Sequence, residues 1–141
     1  MECRLYLEDA PRGAEYTREE VVDLGGRWEA MNFLLTGKRQ PDDSVASLLV
    51  KDWPDLDGSE AAIVDAEALA SFNEWLASQA DDVVLGRFDP LAMAAMNIYG
   101  AAELQSDPAL ARENLAQILT SLRAFAARGA QIGSAAIRVI V

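Results

Sequence analysis

Apolar and polar positions alternate from the first residue. Met1, Cys3, Leu5 and Leu7 fall on one side, and Glu2, Arg4 and Tyr6 on the other. A period of two belongs to a strand with one face buried. Residues 8–15 contain Asp9, Pro11 and Gly13 and read as a loop. Thr17-Arg18-Glu19-Glu20 then has the form of a capping box, in which the Thr17 hydroxyl accepts from the Glu20 amide and the Glu20 side chain reaches back. A first helix is therefore expected from about Arg18. Gly25-Gly26 weakens or ends it, since each glycine costs about 1 kcal/mol in a helix interior. A second helical run over 27–35 carries Trp28, Met31, Phe33, Leu34 and Leu35, and stops at Thr36-Gly37.

Polar residues 38–44, with Pro41, make a loop. The apolar run 45–50 suits a strand or a helical turn, and 51–60 is an acidic loop with Pro54 and Gly58. Asp65 is placed to cap a helix over 66–79, with Leu69, Phe72 and Leu76 on one face. Asp89-Pro90 pairs a cap with a proline at the first helical position. The short helix it opens carries Met93 and Met96, whose spacing suits core filling. Asp107-Pro108 repeats the device and opens the longest helix, about 108–128, striped by Leu115, Ile118, Leu119, Leu122 and Phe125. Gly129 is its expected stop. The closing segment 135–141 is strongly β-prone. The pattern predicts an α+β fold in one domain, 1–141, with a small sheet that includes both terminal strands and packs against several helices.

The size suits one domain: 141 residues can fold without disulfides or metals. The net charge of −11 comes from 23 acidic and 12 basic residues. A surface this acidic repels phosphate backbones, so no nucleic-acid role is expected. Acidity serves solubility first; its sharper implication is a basic protein partner. Cys3 is the only cysteine, which suits a reducing compartment. The opening MECRLYLED has no apolar leader core, and no run of 18 apolar residues occurs, so a cytoplasmic chain with no membrane role is expected. The twelve cations comprise ten arginines and only Lys38 and Lys51, a bias read as genome composition.

The absence of histidine narrows the chemistry most. It removes Ser-His and Cys-His nucleophile pairs, histidine bases and histidine metal sites. No zinc site can be assembled, and no metal or cofactor is expected. Gly25-Gly26 is too short for a phosphate loop. Asp55-Leu56-Asp57-Gly58 mimics part of a calcium loop, but the register would put Trp53 at position 1 and Val64 at position 12. Carboxylates such as Asp42-Asp43 and Asp81-Asp82 are adjacent in sequence, and such neighbours point apart on a helix. No catalytic residue is assigned. Cys3 reads as a small buried hydrophobe. Among Trp28, Trp53 and Trp75, Trp28 stands out because Asn32 shares its helix face one turn on. Trp28, Asn32 and Thr36, with Tyr99, Arg27 and Asp23, are candidate ligand-binding residues. The plainer alternative is a packed helix whose amide bonds to backbone.

The stretch Val22-Asp23-Leu24-Gly25-Gly26-Arg27-Trp28-Glu29-Ala30-Met31-Asn32-Phe33-Leu34-Leu35-Thr36-Gly37 resembles the signature of the YfbM-like family, a group of uncharacterised bacterial proteins. Phe88-Asp89-Pro90 through Met96-Asn97-Ile98-Tyr99 resembles its second stretch, and the opening strand and the final helix and strand resemble its ends. The resemblance implies a YfbM-like α+β fold and no particular activity. The family pattern usually has a basic residue two positions before the tryptophan and a histidine four after it. Gly26 and Asn32 stand there in this chain.

Three functions follow as expectations. The first is a non-enzymatic, acidic interaction domain that inhibits or neutralises a basic protein, as immunity proteins do. The second is a small-ligand module with a pocket near Trp28 and Asn32. The third is a carboxylate-dependent enzyme, which needs two carboxyl groups converging in one cleft.

Overall fold

A computed structural model describes residues 1–8, 20–56 and 60–141. Strand β1 (Cys3–Leu7) buries Cys3, Leu5 and Leu7. It pairs antiparallel with β2 (Val21–Gly25) on one side and with β4 (Ala136–Ile140) on the other. Strand β3 (Ala61–Val64) completes the order β2-β1-β4-β3. The two terminal strands are thus central neighbours, as the sequence pattern predicts.

Strand β2 corrects the expectation of a first helix through residues 20–25. Glu20, Val22 and Leu24 are buried while Asp23 is exposed, a two-residue alternation that a helix cannot bury. Val22 pairs with Leu5, and the Leu7 amide donates to the Glu20 carbonyl at 3.0 Å. The β-branched pair Val21-Val22 suits that ladder. Thr17, Arg18 and Glu19 of the capping box lie outside the described residues, as do 57–59 of the calcium-like turn.

Helix α1 (Trp28–Thr36) ends at Gly37, which is left-handed at φ 71° and returns its N–H to the Phe33 carbonyl at 2.7 Å. The apolar run that follows forms a 3₁₀ turn at Val45–Ser47. The aspartate caps fall where expected. Asp65 accepts from the Ala68 amide at 2.8 Å and starts α2 (Ala66–Ala77). After α3 (Asp81–Leu85), Asp89 accepts from the Ala92 amide at 3.1 Å and starts α4 (Pro90–Ala95). After α5 (Ala101–Leu104), Asp107 accepts from the Leu110 amide at 3.2 Å and starts α6 (Pro108–Ile132).

Helix α6 corrects the second expectation. It runs straight through Gly129 and stops at Gly133, left-handed at φ 66°. Gly129 is buried against α2 and β1: a Cβ there would stand 2.4 Å from Leu69 Cδ2 and 3.0 Å from Leu7 Cδ2. Its glycine serves close helix packing, not termination. The core so closed joins Leu5, Leu7, Leu69, Phe72, Leu119 and Phe125.

Candidate functional site

Residues 87–100, which contain the second stretch of the resemblance, meet both ends of α1. At its start, Glu29 accepts the Tyr99 amide at 2.8 Å. Gly100, at φ +78°, sits so close that a Cβ would come within 2.9 Å of the Gly26 carbonyl oxygen. A Cβ at Gly26 would stand 3.8 Å from Tyr99 Cε1. At the end of α1, Arg87 donates to the carbonyls of Leu34 at 2.7 Å and Leu35 at 3.2 Å. These contacts assign the glycines, Glu29 and Arg87 a structural part: they fix α1 between two segments distant in sequence.

The six candidate binding residues are distributed along and beside that helix. Trp28 and Asn32 are 6% and 2% exposed, and Trp28 Nε1 and Asn32 Oδ1 are buried without a hydrogen-bond partner. The Thr36 hydroxyl donates to the Asn32 carbonyl at 2.9 Å and receives the Lys38 amide at 3.0 Å, so it closes the last turn. Two helical turns separate it from Trp28, about 12 Å along the axis. Tyr99 is 41% exposed, and its hydroxyl accepts from the Met1 amine. Asp23 is exposed, accepts the Gly25 amide at 2.9 Å and faces Arg4 at 3.3 Å. Asp23 and Arg27 line a hollow of about 290 Å³ with Asn114 and Ile118, and Arg27 Nη1 is buried without a partner. Trp28 and Asn32 therefore form a buried pair, Asp23 and Arg27 a surface rim, and Thr36 stands apart from both.

Arginines do work that the charge count hides. Backbone carbonyls at a helix C-terminus lack partners within the helix. Arg87 meets those of α1, and Arg123 meets the α2 carbonyl of Leu76 at 2.6 Å and, just past the helix, that of Gln79 at 2.5 Å, with Asp81 at 2.8 Å. Arg138 on β4 donates to the carbonyls of Leu49 at 3.1 Å and Lys51 at 2.7 Å, which ties the segment after the 3₁₀ turn to the sheet. A planar guanidinium spans two carbonyls; an ammonium is a point donor. At these three positions the arginine bias has a structural reason beyond composition. Burial lowers the Arg138 pKa and pushes the Cys3 thiol up to about 12, with Arg138 opposing the second shift. Cys3 is thus an inert core thiol.

The densest charge lies elsewhere. Residues 41–67 hold eight carboxylates (Asp42, Asp43, Asp52, Asp55, Asp57, Glu60, Asp65, Glu67) against the single cation Lys51. The structure gathers part of this set around a concave surface. One hollow of about 310 Å³ is lined by Asp43, Lys51, Trp53, Asp65 and Glu67, among others. An adjoining one of about 460 Å³ shares Asp43 and Lys51 and adds Asp42 and Asp52. The Lys51 ammonium sits 5.1 Å from the centre of the Trp53 ring and donates to the Asp43 carbonyl at 3.3 Å. Hydrogen bonds from the Ser44 hydroxyl and from Lys38 hold the Asp42 carboxyl well below the usual carboxylate range. Reading 38–44 and 51–60 as separate loops missed this surface; the run of acids against one lysine was the signal. Among the described residues, no three His, Cys, Asp or Glu side chains are grouped to hold a metal ion, and no helix is long and apolar enough to cross a membrane.

Comparison with known proteins returns one family and one fold. No curated protein matches the chain. The crystal structure of YfbM from Escherichia coli, a protein of unknown function, is similar over 100% of both chains, with a TM-score of 0.71 and 18% identity. At that identity the likeness concerns the fold, which is α+β and YfbM-like as the resemblance implies. The pattern of the family described as Domain of unknown function (DUF1877) matches residues 4–139, and the chain belongs to that family.

Proposed function

We propose that this protein is a non-enzymatic interaction domain of the bacterial cytoplasm whose acidic surface engages a basic protein. The observation that carries this reading is the charge balance. The net charge is −11, and Arg87, Arg123 and Arg138 turn guanidinium groups toward backbone carbonyls of their own chain. The field offered to a partner is correspondingly negative, and complementary fields raise association rates. The hollow around Trp53 combines carboxylates with an aromatic face already carrying a cation, a chemistry that suits lysine or arginine side chains.

The reading favours interaction over the two other functions on particular grounds. A carboxylate enzyme needs an acid held protonated near neutrality, and Asp42 moves the opposite way. A pocket built on Trp28 and Asn32 has its two principal residues buried.

A lysine-rich peptide titrated against the full chain, followed by tryptophan fluorescence, tests the proposal. Binding is expected at low salt, lost at high salt, and weakened by Asp43→Lys with Glu67→Lys more than by matched reversals at Glu103 and Glu113. Equal loss from both pairs, or binding indifferent to salt, would sink it.

A further inference from the structure

We infer that Trp28 and Asn32 hold one small bridging ligand inside the protein, with the size and hydrogen-bonding capacity of a water molecule. Trp28 Nε1 is a donor only, and Asn32 Oδ1 is an acceptor. Both atoms are sealed from solvent and neither has a partner. The residues lie one turn apart on α1, where i and i+4 side chains are neighbours with Cβ atoms about 6 Å apart. Buried polar atoms in folded proteins almost always find a partner. An orphaned donor and an orphaned acceptor on neighbouring side chains are satisfied together by one molecule that accepts from the first and donates to the second.

Arg27 at the N-cap also leaves Nη1 buried and unpartnered, while the other polar side chains within the helix are engaged. The Thr36 hydroxyl is committed to the Asn32 carbonyl and the Lys38 amide, and the Glu29 carboxylate to the Tyr99 amide. Exposures of 6% and 2% leave no mouth for a larger molecule. A buried water commonly makes about three hydrogen bonds to such groups. The site is thus a permanent internal one that fixes the indole against its helix, distinct from the surface that meets a partner.

A crystal structure fine enough to place ordered water, with nuclear Overhauser transfer from the Trp28 indole proton to water in solution, tests this on the intact chain. Trp28→Phe identifies the indole resonance. One density peak within hydrogen-bond reach of both atoms, with matching transfer to a long-lived water, is expected. A direct Trp28–Asn32 bond, or apolar atoms filling the space with no peak, overturns the inference. Stability gives a second readout. Trp28→Phe and Asn32→Leu should each lower the folding constant roughly tenfold, because each removes one of the hydrogen bonds that hold the bridging molecule. The double variant should lose less than the product of the two; a full product contradicts the bridge.

Discussion

Replacing Gly129 by alanine sets two effects against each other. In an exposed helix the change is favourable by about 1 kcal/mol, since alanine loses less backbone freedom. Here the new Cβ would stand 2.4 Å from Leu69 Cδ2, 3.3 Å from Leu69 Cγ and 3.0 Å from Leu7 Cδ2. Leu69 and Leu7 are 1% and 0% exposed, so neither has empty space to move into. Overpacking a closed core costs about 1–3 kcal/mol, and a contact this short on one side with a tight one on another belongs near the top of that range. The difference is a net loss of about 2 kcal/mol, or a fall of roughly 6 °C in Tm for a chain of this size. Calorimetry and urea denaturation of Gly129→Ala measure it. Gly133→Ala is the companion: it has nothing within 4 Å but a φ of +66°, and should lose only the left-handed penalty of about 1 kcal/mol. A Gly129→Ala protein as stable as the parent, or more so, would refute the packing argument.

Other expectations are simpler. Arg123→Lys removes a guanidinium that bridges Leu76 and Gln79, and should cost about 1–2 kcal/mol in urea with an unchanged slope; no loss would mean that water serves those carbonyls equally well. Asp65→Ala removes the cap of α2 and should cost about 1 kcal/mol by the same assay. The Cys3 thiol is raised from 9.0 to about 12, so the folded state keeps a proton that the unfolded chain releases. Stability is therefore undiminished below about pH 9 and falls as pH climbs toward 12. The stability difference between the parent and Cys3→Ala, measured from pH 8 upward, should shrink across that window; a constant difference would refute the shift.

Much of the fold is legible because its signals are local. Three Asp caps, two followed by proline, mark helix starts through side chains that reach only three residues on. The period of two in residues 1–7 and the β-prone close mark the central strands. The failures have a common physical cause. Residues 21–25 follow a helix-start signal at 17–20, but their partner is β1, and pairing at a distance makes them a strand. Gly129 looks like a stop until Leu69 and Leu7 are seen pressing on it. The site divides the same way. Helical spacing places Trp28 and Asn32 on one face, while Thr36 turns to its own backbone and the hollow around Trp53 forms only when 43–53 folds onto the start of α2. Arginines 87, 123 and 138 could not be assigned from sequence, since their acceptors are carbonyls 44 to 89 residues away.

The central claim, that an acidic surface meets a basic protein, is tested most directly by capture from native lysate at low and high salt, read by mass spectrometry. A single basic protein held stoichiometrically at low salt and released at high salt, and lost with Asp43→Lys and Glu67→Lys, is the predicted result. A partner that stays bound as salt rises, one that is acidic or neutral, or no partner at all contradicts the account.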